Sequence, residues 1–382
     1  MPLQSQLRPI VEGAGTAPSS RGEAEVTSIL IPIPMGTRVP EALRERWAAA
    51  WSSSLEPASP FHHPRFAEAA ARGRDDVALL VESAGSEPIR FLPMHRLSRR
   101  RAVALGGRLA DAQGGVQSDG APWDPSGPLR DHGVRSMGFS RFDGACQWPE
   151  SALWGSAGSP MIDFSQGFEA YRAMKQAAGS GNLSQLLRKG RKLGREVGPL
   201  RLVFDSDDPS VLANLMEWKR SQRARTDSTD PFRDPWAVSL VADLRESPGP
   251  SVSAPVTALY AGEHLVAAHM GLASERRMHW WVPGYDQTFG AYSPGLVLLV
   301  ELLRELERRG LHRLDLGLGK ERYKASMATG TVPLFRGAFE CSRLRSLVGR
   351  SGVRLRERIR HSRFEGSWDA SKVVLRRIGL RG

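Results

Sequence analysis

Residues that could move a proton are concentrated between Val256 and Lys324. Asp315 ends a predicted strand, where a buried carboxylate is costly to desolvate unless it is paired or required for chemistry. His269 lies within another predicted strand, and the pKa of an unperturbed imidazole suits a general base. Asp315 could therefore orient or deprotonate an amine, or sit in a structural ion pair. His269 could be a base or a buried core histidine.

Two further pairs of side chains accompany these residues. Tyr323 and Lys324 follow the last predicted strand, where the tyrosine could protonate a departing thiolate or both could be ordinary loop residues. Trp280 and Trp281 are consecutive on one strand, so their side chains point to opposite faces. One of them is expected in the core, and Trp281 is a candidate for lining a cleft that holds an acyl group.

The start of a predicted helix offers a binding site for an anion. The stretch Tyr292-Ser293-Pro294-Gly295 reads as an N-cap serine followed by proline at the first helical position. Free N–H groups and the helix dipole at such a start can bind phosphate, although the same residues also form a plain cap. Pro294 removes one donor, and Gly290–Gly295 contains no basic residue.

A second helix, predicted for Pro209–Arg223 with Asp208 as its cap, changes character along one face. Its apolar stripe of Leu212, Leu215 and Met216 continues as three polar residues at helical spacing: Lys219, Gln222 and Arg223. Such a stripe either leaves the core for solvent or enters a wet cleft. The second alternative makes these three residues candidates for substrate binding.

The elements around these residues follow a repeated order. The hairpin of Val77–Val81 and Ile89–Met94 has a spacing similar to that of a second hairpin, Val256–Met270. The second hairpin belongs to three consecutive strands at Val256–Tyr260, Leu265–Met270 and Met278–Val282. A helix over Ser293–Arg309 and a strand over His312–Leu316 follow. Periodicity alone therefore predicts an α/β fold with a possible duplication.

The C-terminal block resembles the CelD/BcsL-type acetyltransferase family. The resemblance rests on five motifs in order: Ala261–His269 (AGEHLVAAH), Gly284-Tyr285-Asp286, Tyr292-Ser293-Pro294-Gly295, Asp315-Leu316-Gly317 and Tyr323-Lys324. Fainter matches extend it over most of residues 40–340: Phe91-Leu92-Pro93, Gly106-Gly107, Asp111-Ala112-Gln113-Gly114, Arg188-Lys189 and Lys219–Gln222. Through these matches the resemblance adds Asp111 and Gln113 to the candidate substrate-binding residues.

The family resemblance implies a fold and an activity. The fold is α/β (α+β), with two tandem GNAT-like halves, as in Fem-type peptidoglycan transferases, whose mixed, mostly antiparallel sheets are flanked by helices. The implied reaction is transfer of an acyl group, expected to be acetyl, from coenzyme A to an amine on a sugar or polysaccharide precursor. Two alternatives remain: an aminoacyl-tRNA donor, or a non-catalytic scaffold in polysaccharide synthesis.

Charge and composition set the remaining expectations. The 382 residues carry a net charge of +12, of which +9 lies in residues 341–382. We expect a disordered segment at 1–24, halves at 25–160 and 161–340, and a basic tail that either contacts the inner membrane or packs on the body. With a nearly neutral body, nucleic acid is an unlikely partner. Two cysteines without metal-ligand spacing, and no apolar run long enough for a membrane helix or signal core, favour a cytoplasmic protein without a metal.

Overall fold

The computed structural model describes residues 26–54, 59–144, 146–179, 181–226, 231–246, 249, 251–319, 321–342 and 351. The segment expected to be disordered, 1–24, and nearly all of the basic tail lie outside these residues. The predictions made for the two termini, including membrane contact, therefore stay predictions.

The described chain alternates strands and helices. The strands are β1 Val26–Pro32, β2 Val77–Ala84, β3 Glu87–His95, β4 Arg101–Ala104, β5 Val116–Gln117, β6 Ser136–Asp143, β7 Leu153–Asp163, β8 Leu200–Val203, β9 Val252–Ser253, β10 Val256–Ala261, β11 His264–Ser274, β12 Met278–Tyr285, β13 Arg313–Asp315 and β14 Gly330–Glu340. The α-helices are α1 Glu41–Ser52, α2 Pro64–Ala71, α3 Ser126–Asp131, α4 Phe168–Ala177, α5 Gly181–Glu196, α6 Pro209–Thr226, α7 Pro235–Glu246, α8 Pro294–Arg308 and α9 Arg322–Met327.

All the strands belong to one sheet whose order repeats from its two edges. From one edge the order is β1-β2-β3-β4-β6-β14, and from the other it is β8-β10-β11-β12-β13-β7. In each series the fourth and fifth strands pair in parallel, β4 with β6 and β12 with β13, and the other strand pairs are antiparallel. The predicted class, a mostly antiparallel α/β fold with two similar halves, is confirmed.

The two halves exchange a strand at the centre of the sheet. β7 precedes the second half in the chain and pairs with β13 of that half, while β14 ends the second half and pairs with β6 of the first. β7 and β14 then pair with each other. The predicted boundary at 160/161 falls inside β7, so the halves are interlocked there.

The second half shows how alternation in the strands produces two layers. On β10, Ala258 packs into the core cluster shared with α6, whereas Leu259 packs into the cluster formed with α8. Consecutive strand residues face opposite sides, so α6 and α8 cover opposite faces of β10–β12. α6 begins as predicted, with the Asp208 carboxylate accepting from the Ser210 N–H at 2.8 Å.

Candidate active site

β12 and β13 part soon after they meet. Their parallel pairing covers Met278↔Leu314 and His279↔Asp315. Beyond Asp315 the chain turns toward β7, where the Leu316 N–H donates to the Pro160 carbonyl at 2.9 Å. From Trp280 onward, the β12 edge that faced β13 has no strand partner within the described part of the chain. An open strand edge presents N–H and C=O groups to a ligand.

A pocket of about 180 Å³ opens where these strands part. Both halves of the protein contribute to its wall. The lining residues are Arg108, Leu109, Asp111 and Arg141 from the first half, and Lys219, Phe232, Trp280, Trp281, Val282, Pro283, Leu316, Leu318, Glu321, Tyr323 and Lys324 from the second. The pocket therefore brings together Asp111, Lys219, Trp281, Tyr323 and Lys324 from the candidates chosen on the sequence.

The two tryptophans divide as strand alternation predicts. The Trp281 indole Nε1 donates to the Leu109 carbonyl at 2.6 Å, and its ring meets the edge of Phe61. Trp280 also lines the pocket, but its side chain is buried in the opposite layer of the sheet, where it stacks on His269 with ring centroids 4.0 Å apart. Trp281 thereby connects the two halves at the pocket wall.

His269 lies in the core and does not line the pocket. Burial lowers the pKa of its imidazole to about 3, which keeps the ring neutral at physiological pH. This environment is that of a core histidine, the second of the two alternatives that the sequence left open. Its role as a base stays a prediction, and neither position nor pKa favours it.

Asp111 is the carboxylate that borders the pocket from the first half. Burial raises the pKa of this carboxyl to about 6, while the positive charges of Arg141 and Lys324 oppose the increase. Arg141 Nη1 lies 3.8 Å from Asp111 Oδ1. Gly317, with φ +70°, leaves room for the carboxylate, since a Cβ at that position would come within 2.8 Å of Asp111 Oδ2.

Tyr323 and Lys324 reach the pocket from the short helix α9. Burial raises the pKa of the Tyr323 phenol, so the hydroxyl keeps its proton at neutral pH. The Lys324 ammonium donates to the carbonyls of Gly317 and Leu318, each at 3.2 Å, and lies 3.5 Å from Glu321 Oε2. These bonds fix the turn that carries Gly317 beneath Asp111.

Asp315 lies behind the pocket in a buried cluster of charges. Arg277 Nη1 is 3.3 Å and His279 Nε2 is 3.6 Å from Asp315 Oδ2, and all three side chains are buried. Burial lowers the pKa of His279 to about 3 against the opposing effect of Asp315, so Arg277 is the cation of the cluster. This geometry favours the ion-pair alternative for Asp315, and its catalytic role stays a prediction.

The other predicted substrate-binding residues separate into different environments. Gln113 Oε1 accepts from the N–H groups of Ser140 and Arg141, each at 3.0 Å, and its Nε2 donates to the Gly107 carbonyl at 2.9 Å. Gln113 thus joins the loop that carries Asp111 to β6, the strand that carries Arg141. Gln222 is exposed and accepts from Lys219 at 3.2 Å. The side chain of Arg223 lies outside the described residues.

The start of α8 has a partner that the local sequence does not reveal. Ser293 occupies the N-cap position with φ +53°, and its hydroxyl accepts from Lys189 Nζ at 2.7 Å instead of capping the helix. The hydroxyl of Tyr292 donates to Glu196 Oε2 at 2.8 Å, so α5 is held against this helix start at two points. Lys189 supplies the positive charge that Gly290–Gly295 lacks.

The comparison with protein families finds one match. Residues 181–325 match the model of a family described as "Acetyltransferase (GNAT) domain". This part of the chain is similar to a GNAT domain. It contains the parted strands, α5 and the α8 start, together with Lys324 of the pocket. No curated protein sequence matches the chain significantly.

The likeness to solved structures extends over both halves of the chain. The C-terminal domain (DUF2156) of a putative lysylphosphatidylglycerol synthetase from Agrobacterium fabrum is 14% identical over 80% of this chain and 93% of its own, with a TM-score of 0.50. FemX is 8% identical over 80% and 98%, with a TM-score of 0.51. A conserved protein of unknown function from Bacteroides thetaiotaomicron is 12% identical over 79% and 98%, also with a TM-score of 0.51. At these identities the likeness concerns the fold alone.

Two features are absent from the residues that the structure describes. They contain no group of three or more His, Cys, Asp or Glu side chains arranged to hold a metal ion. Among the same residues, no helix has the length and apolarity needed to cross a membrane.

Proposed function

We propose that this protein transfers an acyl group from coenzyme A to an amine, with the reaction taking place in the pocket where β12 and β13 part. One observation carries the proposal: the open edge of β12 meets Asp111, Tyr323 and Lys324 at a single pocket within reach of the GNAT helix start. A GNAT domain supports acyl transfer in general. Acetyl as the acyl group, and a sugar-linked amine as the acceptor, are finer parts of the same proposal.

The donor fits along β12 between two anchor points. At one end, Lys189 and the N-terminus of α8 suit the phosphates of coenzyme A, because the ammonium carries positive charge and the helix start adds the positive end of its dipole. At the other end, Trp281 borders the pocket. Tyr285, which packs next to Gly295, is four strand residues from Trp281, or about 13 Å at 3.3 Å per residue. An extended thioester arm can follow that edge.

Asp111 is the group best suited to accept the proton of the attacking amine. With a pKa of about 6, its carboxyl is mostly ionised at neutral pH yet close enough to that pH to act as a base. The amine nitrogen bonds to the thioester carbon while its proton passes to Asp111. N–H groups on the open β12 edge then hold the oxyanion.

Collapse of the tetrahedral intermediate breaks the carbon–sulfur bond and releases a thiolate. Tyr323 suits the role of proton donor to this thiolate, because its phenol is protonated at neutral pH and lines the same pocket. Lys324 is committed to two carbonyls of the Gly317 turn, so in this proposal it positions that turn.

Calorimetry with the full chain tests the proposal. Acetyl-CoA or a longer acyl-CoA should bind, and amine-dependent release of free thiol should follow. If no acyl-CoA binds, the proposal fails. Retention of activity with purified acyl-CoA after ribonuclease treatment would set aside an aminoacyl-tRNA donor, whereas activity that needs intact RNA would replace acyl-CoA with that donor.

A further inference from the structure

The pocket has a charge pattern that no part of the acyl transfer requires. Four cationic side chains line it, Arg108, Arg141, Lys219 and Lys324, against the two carboxylates of Asp111 and Glu321. Glu321 lies 3.5 Å from Lys324, so the opposite charges of this pair largely cancel. The remaining lining carries three cations and the Asp111 carboxylate.

These three cations line the pocket together with the open β12 edge. Arg108 and Arg141 come from the first half and Lys219 comes from α6. Arg141 is held in place, because its Nη1 donates to the carbonyls of Arg108 at 2.8 Å and Ala110 at 3.0 Å. An anchored guanidinium loses little freedom when it binds an anion.

The donor phosphates do not account for this cluster. In the proposed arrangement they lie at the α8 start beside Lys189, about 13 Å along β12 from Trp281. The chain's overall positive charge does not account for it either, since these side chains converge on a concave site that also contains Asp111. The aromatic residues Phe232, Trp281 and Tyr323 also line the pocket.

We infer that the acceptor amine carries an anionic group, a phosphate or a carboxylate, which Arg108, Arg141 and Lys219 bind while the amine lies at Asp111. This inference rests on the proposed acyl transfer and narrows its substrate class. Charge-assisted bonds from two or three cations orient such an acceptor and strengthen its binding. The same amine without the anion would lose those bonds.

Three amino sugars test the inference by calorimetry on the full chain saturated with coenzyme A, which keeps the donor site occupied. They are glucosamine, glucosamine 6-phosphate and the carboxylate-bearing muramic acid. We expect at least one anionic sugar to bind about tenfold more tightly than glucosamine, the effect of one charged hydrogen bond, with affinity falling as salt rises. Which of the two binds distinguishes phosphate from carboxylate. Equal binding of all three sugars, or no binding by either anionic sugar, would overturn the inference.

Charge-reversal variants test whether the pocket cations cause the preference for an anionic sugar. Arg108→Glu and Lys219→Glu should each weaken binding of the preferred anionic sugar by about tenfold or more. The matched control is Arg99→Glu, an exposed arginine of the first half outside the pocket, which should change nothing. If all three variants weaken binding equally, the effect is one of net charge and the inference fails. Acyl-CoA binding is measured in parallel. If the unmodified chain does not bind acyl-CoA, that result counts against the proposed function and not against this inference.

Discussion

Asp111 and Asp315 are two carboxylates of one region with different environments. Asp111 borders the pocket, and burial raises its pKa to about 6. Asp315 lies behind the pocket and is neutralised by Arg277 at 3.3 Å. A carboxylate that stays partly protonated near neutral pH suits proton transfer, whereas one locked to a buried arginine suits a structural role. We therefore propose Asp111 as the base.

Replacing Asp111 with Asn should lower kcat by about 100-fold, the usual contribution of a general base. In the unmodified chain, kcat/KM should fall as pH decreases through about 6, because protonated Asp111 cannot accept the amine proton. The variant should lose that acidic limb. Asp131→Asn, an exposed aspartate outside the pocket, is the control. A pH profile that is identical in both variants would remove Asp111 from the mechanism.

Replacing Asp315 with Asn should mainly affect stability. The variant leaves Arg277 buried without its carboxylate, which costs about 3–5 kcal/mol in the free energy of unfolding. Urea denaturation measures the loss. Glu169→Gln is the control. It removes the charge of Glu169 from an exposed ion pair with Arg172 and should lower the free energy of unfolding by less than about 1 kcal/mol. An Asp315 variant with unchanged stability and abolished turnover would restore the catalytic role that the sequence first suggested.

At the level of elements, α5 and α8 together form the end of the site where we propose that the donor phosphates bind. The sequence predicted the α8 start correctly because Ser-Pro-Gly is a strong local signal. It did not predict Lys189 at Ser293, because the two residues are 104 positions apart and meet only through packing of α5. Arg141 was not predicted as a site residue for the same reason, since its position beside Asp111 depends on how β6 pairs with its neighbours.

Lys189→Glu should weaken acyl-CoA binding by about tenfold, because it replaces a cation at the helix start with a charge that repels phosphate. The difference from the unmodified chain should shrink at high salt. Arg195→Glu changes the same charge at an exposed position of the same helix and is the control. Equal affinities in the two variants would move the donor phosphates away from the α8 start.

At the scale of the whole molecule, the presence of two similar halves could be predicted from the sequence, whereas the way in which they interlock could not. Repeated hairpins and the family motifs were enough for two similar halves, because those signals are local. The exchange of β7 and β14 could not be predicted, since strand order depends on pairing between residues such as Thr331 and Pro160 that are far apart in sequence. The pocket could not be predicted for the same reason, because residues from both halves line it.

Expressing residues 26–160 and 161–342 as separate chains should yield fragments that do not fold alone. The cut divides β7 and separates β14 from β6, so each fragment exposes unpaired strand edges that lie at the centre of the intact sheet. Circular dichroism during heating should show no cooperative transition for either fragment, in contrast to residues 26–342. A cooperative transition in 161–342 alone, together with acyl-CoA binding, would show that the second half folds without the strand exchange.

Hydrogen–deuterium exchange of the full chain with and without a saturating acyl-CoA tests the central claim most directly, because it reports where on the sheet the donor lies. We expect slower exchange at the open β12 edge, Trp280–Tyr285, and at the α8 start around Gly295, with little change in β4 and β6 of the first half. Protection confined to β4 and β6, or none at either place, would contradict the account.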